Sequence, residues 1–193
     1  MQALTRDDLI SLEHYAERRA SFRAEVMAHK QSRRVPIGPH AALYFEDRVT
    51  MQYQIQEMLR AERIFEPAGI QEELDAYNPL IPEGDNWKAT FMVEFEDVVE
   101  RRDALARLIG IEDKVWVRAG DQNKVYAIAD EDLERESADK TSSVHFLRFQ
   151  LPLETCRAVK QGAPLHMGID HPEYSYEVEL DEARHAALAA DLD

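Results

Sequence analysis

Cysteine is nearly absent from this chain: Cys156 stands alone. One thiol cannot close an internal disulfide, nor supply a cysteine-only zinc or iron–sulfur site. A reducing cytoplasm is the expected compartment. No apolar run reaches the ~18 residues that a membrane helix needs, so no membrane partner is expected. Met1-Gln2-Ala3-Leu4-Thr5-Arg6-Asp7-Asp8 lacks a basic start followed by an apolar stretch, and does not read as a signal peptide. The signatures G-x-x-x-x-G-K-[ST], G-x-G-x-x-G, G-x-S-x-G and H-E-x-x-H are all missing, which removes the motif-based routes to a nucleotide, acyl-transfer or zinc-protease site.

Positive charge is also scarce. The 193 residues carry 23 Lys/Arg against 38 Asp/Glu, a formal net charge of −15. Such a chain repels nucleic acid and anionic membrane. The imbalance is uneven: residues 1–63 hold ten Lys/Arg and nine Asp/Glu, whereas residues 64–193 hold thirteen and twenty-nine. The acidic part reads as a solvated surface or as a face for a basic partner. Hydrophobic residues make up 45% of the chain, enough for a sizeable core.

The patterning predicts an α+β fold, a helical N-terminal part (1–87) packed on a mainly antiparallel sheet with three further helices (88–193), the two parts forming one continuous domain. Thr5 and Asp8 form a capping-box-like pair, with Leu4 and Leu9 placed as a staple. Leu12, Tyr15, Phe22 and Val26 recur on one face and extend a helix over 5–32. Arg33-Arg34-Val35-Pro36-Ile37-Gly38-Pro39 reads as a breaker, and Ala42-Leu43-Tyr44-Phe45 as extended. A second helix runs from Asp47 to Phe65, is ended by Pro67 and Gly69, and is followed by a short helix at 70–77. Beyond Lys88 the period shifts toward two. Strands are expected at 89–95, 114–118, 125–129, 143–151, 165–169 and 174–180, with helices at 100–109, 154–160 and 181–192. Asp130 to Lys140 reads as a charged loop or exposed helix.

The helix at 47–65 carries the most unusual pattern. Met51, Ile55, Met58 and Leu59 form one apolar stripe, and Val49, Tyr53 and Ile64 a second on the other side. Gln52, Gln56, Arg60 and Arg63 line one strip between them; Thr50, Gln54 and Glu57 line the other. Covered polar groups need partners. One account is a structural network in which Glu57, Glu62, Arg60 and Arg63 pair with one another or with Arg19 and Arg23. The other is a pocket. There Arg60, Arg63 and Arg34, with Gln52, Gln56 and Tyr77, would receive an anion, and Glu57 or Glu62 would hold a metal or act as acid/base. Two carboxylate–imidazole spacings also occur, Glu25 with His29 and Glu182 with His185. A self-contained di-iron site needs two E-x-x-H pairs and further glutamates, and only one such pair is present.

Arg33-Arg34-Val35, Gly38-Pro39, Phe45-Glu46-Asp47-Arg48, Gln54-x-Gln56-Glu57-Met58-Leu59-Arg60-x-Glu62 and Tyr77-Asn78-Pro79-Leu80-Ile81-Pro82 together resemble a bacterial family defined as a domain of unknown function, numbered 3501. Trp87-Lys88-Ala89-Thr90, Val144-His145-Phe146-Leu147-x-Phe149 and Asp170-His171-Pro172-x-Tyr174 extend the resemblance over nearly the whole chain. The family carries no activity across. The resemblance implies a setting beside rubrerythrin-like and iron–sulfur oxidoreductase proteins, which would be the partners. His145 and His171, at or near strand ends, could join Glu57 or Glu62 in a metal site, or serve as hydrogen-bonded structural residues. The reading is therefore an accessory protein of a redox or oxidative-stress pathway, binding a metal, an anionic small molecule or a redox partner at the Gln52–Arg63 helix. The alternatives are an enzyme acting on an anionic substrate through Glu57 or Glu62, and a purely structural subunit. No cofactor is specified.

Overall fold

The computed structural model describes residues 2–131 and 139–193. The charged stretch expected at 130–140 lies largely outside them. The chain opens with a 3-10 turn, Arg6–Asp8, in which the Asp8 carboxylate accepts from both the amide and the hydroxyl of Thr5 at 2.8 Å. The expected continuous helix over 5–32 is broken here. Leu9 is extended and Ser11 caps a separate helix α1 (Leu12–Gln31). The reason is a competitor for the backbone of Ile10: buried Gln56 accepts from its amide at 2.6 Å and donates to its carbonyl at 3.1 Å, replacing helical hydrogen bonds.

The segment read as a breaker is strand β1 (Arg34–Ile37), turned by Gly38 (φ +69°) into β2 (Ala41–Phe45). Pro36 is tolerated because β1 is the edge of its sheet, where a missing amide costs no ladder bond. Val35 and Ile37 alternate inward around it. Helix α2 (Arg48–Ala61) comes next, capped by Asp47 through the Thr50 amide at 2.9 Å. It stops short of Phe65, with Arg63 in the left-handed region (φ +56°). Pro67 does not end α2; it sits at the first position of α3 (Pro67–Tyr77), where proline needs no donor. A 3-10 turn, Asn78–Leu80, leads on, and the Asn78 side chain clamps Leu4 through both its amide and its carbonyl.

The remaining elements are β3 (Asn86–Val93), α4 (Val98–Arg107), a 3-10 turn Glu112–Lys114, β4 (Val115–Ala119), β5 (Val125–Tyr126), β6 (Ile128–Ala129), β7 (Val144–Gln150), α5 (Leu153–Lys160), β8 (Leu165–His171), β9 (Tyr174–Glu179) and α6 (Glu182–Ala189). The expected single sheet is two, both fully antiparallel among the described residues: β1-β2-β3-β7-β6 and β5-β4-β8-β9. The first begins at Arg34 rather than at 88, so the N-terminal part is not purely helical: its β2 pairs directly with β3 of the C-terminal part. The run 125–129, read as one strand, steps from the second sheet to the first at Ala127. On the other margin the Tyr174 hydroxyl of β9 donates to the Ile37 carbonyl at 2.8 Å, tying the sheets together again.

One apolar core fills the space between the sheets. Ile37, Leu43, Phe45, Trp87, Phe91 and Phe149 meet Val115, Val117, Leu165, Met167 and Ile169 there. A smaller cluster under the helices contains Leu4, Met51, Ile55, Leu59, Leu74 and Ile81. No described helix is long and apolar enough to cross a membrane.

Candidate metal centre

The polar groups of α2 are largely taken up by the scaffold. Glu57 receives the Tyr15 hydroxyl at 2.6 Å and a two-pronged Arg19 guanidinium at 2.8 and 2.7 Å. Arg19, with help from Tyr15, outweighs partial burial and holds the Glu57 carboxyl down at about 2. A carboxylate so held stays ionised near neutrality, which suits a strut rather than a proton carrier. Gln52 donates to the Asp8 carbonyl at 2.6 Å and Gln56 is spent on Ile10. Arg60, Glu62 and Arg63 are exposed, so the covered site expected around Arg60 is not formed.

The other expected members are dispersed. Arg34 donates to the Tyr44 hydroxyl at 2.9 Å and to Glu94. A groove of about 610 Å³ at the end of α2 is bordered by Leu9, Leu12, Leu59, Ile64 and Phe65. It is mainly apolar, not the polar cavity that the pattern suggested. Tyr77 borders a different groove of about 500 Å³, with Leu80, Phe146 and Arg148. His171 contacts the Ile109 carbonyl at 3.1 Å and receives the Glu173 amide, which shapes the turn between β8 and β9. These partners are not those of His145 or Glu57, so the three do not converge. The E-x-x-H spacing builds nothing either: His185 reaches the Ala163 carbonyl while Glu182 is exposed.

His145 is different. On β7 the alternation that turns Leu147 and Phe149 into the core turns His145 inward too, and it is fully buried. Three separate segments converge on its ring. Asp130, just past β6, places Oδ2 2.6 Å from Nδ1. Thr141 and Ser142, just before β7, place a hydroxyl at 2.9 Å and a carbonyl at 3.1 Å from Nε2. Glu112, in the turn before β4, places Oε2 3.7 Å from Nε2 and accepts the Thr141 hydroxyl at 3.1 Å. Glu112 and Thr141 are 6% and 1% exposed. Asp130 is fixed by its backbone as well. Its φ of +48° is a conformation that few residues but aspartate and asparagine accept, and its amide and Oδ1 pair with the carbonyl and amide of Phe146.

Glu112, Asp130 and His145 thus offer ligand atoms all within 4.8 Å of one another. A buried imidazole between two carboxylates is suited to a divalent cation. The order Thr141–His145–Asp130 also has the distances of a nucleophile, base and orienting acid. Thr141 and His145 are sealed from solvent, however, and leave a substrate no approach.

A family model described as "Protein of unknown function (DUF3501)" matches residues 3–192. The chain belongs to the DUF3501 family. A solved structure from Burkholderia pseudomallei K96243, titled a novel protein of unknown function, is 54% identical. The alignment covers 100% of each chain with a TM-score of 0.93. No curated protein matches this DUF3501 chain.

Of the residues at the centre, sequence reasoning named His145 and missed Glu112, Asp130 and Thr141. No spacing rule joins residues 112, 130, 141 and 145. The available signal was a histidine at an inward position of an apolar alternating run.

Proposed function

We propose that this DUF3501 chain is a metal-binding accessory protein of a bacterial redox or oxidative-stress pathway. The cation sits at the buried Glu112–Asp130–His145 centre, not at the Gln52–Arg63 helix. The observation that carries the reading is the convergence of one imidazole, two carboxylates and a hydroxyl from three chain segments. The ligand atoms of Glu112, Asp130 and His145 lie within 4.8 Å of one another, close enough to share one divalent cation. The pathway assignment rests on the setting that the family resemblance implies, with rubrerythrin-like and iron–sulfur oxidoreductase proteins as the partners. The expected compartment is the cytoplasm.

Thermal melts with Mn²⁺, Fe²⁺, Co²⁺ or Zn²⁺, compared with chelator-treated protein, test the metal reading. Binding at a hundred times Kd stabilises by about 2.7 kcal/mol, or about 5–10 °C for a chain of this size. His145→Gln abolishes the gain. A wild-type melt that none of these ions moves overturns the proposal. Co-purification with an iron–sulfur oxidoreductase tests the pathway separately.

A further inference from the structure

We infer that the groove on the outer face of the first sheet is a receptor for a small apolar carboxylate, with Lys88 as the group that receives its charge. The site is separate from the metal centre. Its floor is built by β3 and β7. Lys88 of β3 alternates outward from the buried Trp87 and Ala89, as Phe146 and Arg148 of β7 do from Leu147 and Phe149. The end of α3 and the 3-10 turn after it supply the opposite wall, with Tyr77, Pro79 and Leu80. Together they bound about 500 Å³, the size of a small-molecule site.

Lysine usually keeps its ammonium in water. The Lys88 side chain instead lines the groove and is only 12% exposed. Among the described residues its ammonium has one hydrogen-bond partner, Glu83 Oε2 at 3.5 Å, longer than an ordinary hydrogen bond. That glutamate side chain is 68% exposed and already accepts from the Asn86 amide group at 3.0 Å. So long and exposed a pair holds the ammonium weakly. Arg148 stands directly opposite Lys88 in the strand register, and like charges so placed repel. The guanidinium of Arg148 is itself occupied: two nitrogens meet Glu131 at 2.7 and 2.8 Å, and the third meets Gln150 at 2.7 Å. Lys88 therefore keeps donor capacity at the floor of the groove. A carboxylate brings it both an acceptor and a compensating charge.

The walls select the rest of the molecule. Tyr77, Leu80 and Phe146 offer two rings and a branched aliphatic side chain, which suit an apolar or aromatic body. Glu83 and Glu131 also line the groove and oppose a second negative charge. A carboxylate, with one charge, therefore fits better than a phosphate, which carries up to two near neutrality.

Calorimetric titration of the full chain with phenylacetate, benzoate and octanoate tests the site. At least one of the three is expected to bind one-to-one with a Kd at or below about 1 mM, as suits a molecule of this size. The neutral amide of the same acid keeps the shape and loses the charge, and is expected to bind about 10–100-fold more weakly. Inorganic phosphate is expected to bind more weakly than the acid. Lys88→Met is expected to weaken the acid about 10–100-fold, and Lys88→Arg to recover most of that loss. Near-ultraviolet circular dichroism confirms that each variant is folded, and Lys88→Gln replaces a methionine variant that is not. The inference is overturned if none of the three acids binds. It is also overturned if the amide or phosphate binds as well as the acid, or if the folded neutral variant keeps wild-type affinity. None of these outcomes bears on the metal centre, which is read from metal content.

Discussion

His145 and Asp130 meet at 2.6 Å across the junction of β6 and β7, and the opposite ring nitrogen of His145 looks back at Thr141. The Thr141 hydroxyl links Nε2 to Glu112 inside the protein. Thr141→Val keeps the shape and deletes that link. Its expected cost is about 1–3 kcal/mol, a fall of about 3–9 °C in melting temperature, together with weaker cation binding. A wild-type melt in the variant would remove the hydroxyl from the network.

Glu57 and Arg60 separate on α2, although only three positions apart. Glu57→Ala leaves the buried Tyr15 hydroxyl without its acceptor and releases Arg19. A loss of about 1–3 kcal/mol is expected, against less than about 0.5 kcal/mol for the exposed Arg60→Ala. Paired urea titrations decide, and equal losses would contradict the assignment of Glu57 to the scaffold.

The same carboxylate gives a pH signature. Its folded-state value is lowered from 4.5 to about 2, chiefly by the hydrogen bond from Arg19. Its contribution is therefore complete above about pH 4.5 and fades as pH falls toward 2. The stability gap between wild type and Glu57→Gln should be constant near neutrality and narrow below pH 4.5. A gap that widened on acidification would have the wrong sign.

Among the described residues Arg33 is a deeply committed cation. It is 2% exposed, meets Asp191 at 2.5 Å and Asp47 at 3.3 Å, and donates to the Phe45 and Glu46 carbonyls. Through it the Asp191 end of the chain is fastened to the start of α2. Arg33→Met strands the buried Asp191 carboxylate, while Asp47 keeps His29 and the Thr50 amide, and should cost about 3–5 kcal/mol, read by denaturant unfolding. A loss below about 1 kcal/mol would show that water reaches the site.

Much of the fold was legible because local chemistry agreed with the final structure. Thr5–Asp8, the Asp47 cap and the alternation from Val144 to Gln150 needed no distant partner. What failed depended on tertiary context. Pro36 reads as a breaker until β1 is known to be an edge strand. Pro67 reads as a stop until α3 is known to begin there. The division of 125–129 between two sheets is set by which neighbours pair, which no local pattern encodes. The polar residues of α2 signalled that partners were needed, but not that Ile10, Asp8, Tyr15 and Arg19 would supply them. The candidate metal centre was legible only as one inward histidine, since its other members come from segments brought together by sheet pairing.

A divalent cation at the Glu112–His145 centre is tested most directly by elemental analysis of the full chain, purified without added metal, beside the double variant His145→Gln/Glu112→Gln. Close to one equivalent of a divalent transition metal is expected in wild type, and a negligible amount in the folded double variant. Equal metal content in the two proteins would contradict the proposed centre. So would a wild-type chain that carried none and took up none on dialysis against Mn²⁺, Fe²⁺, Co²⁺ or Zn²⁺.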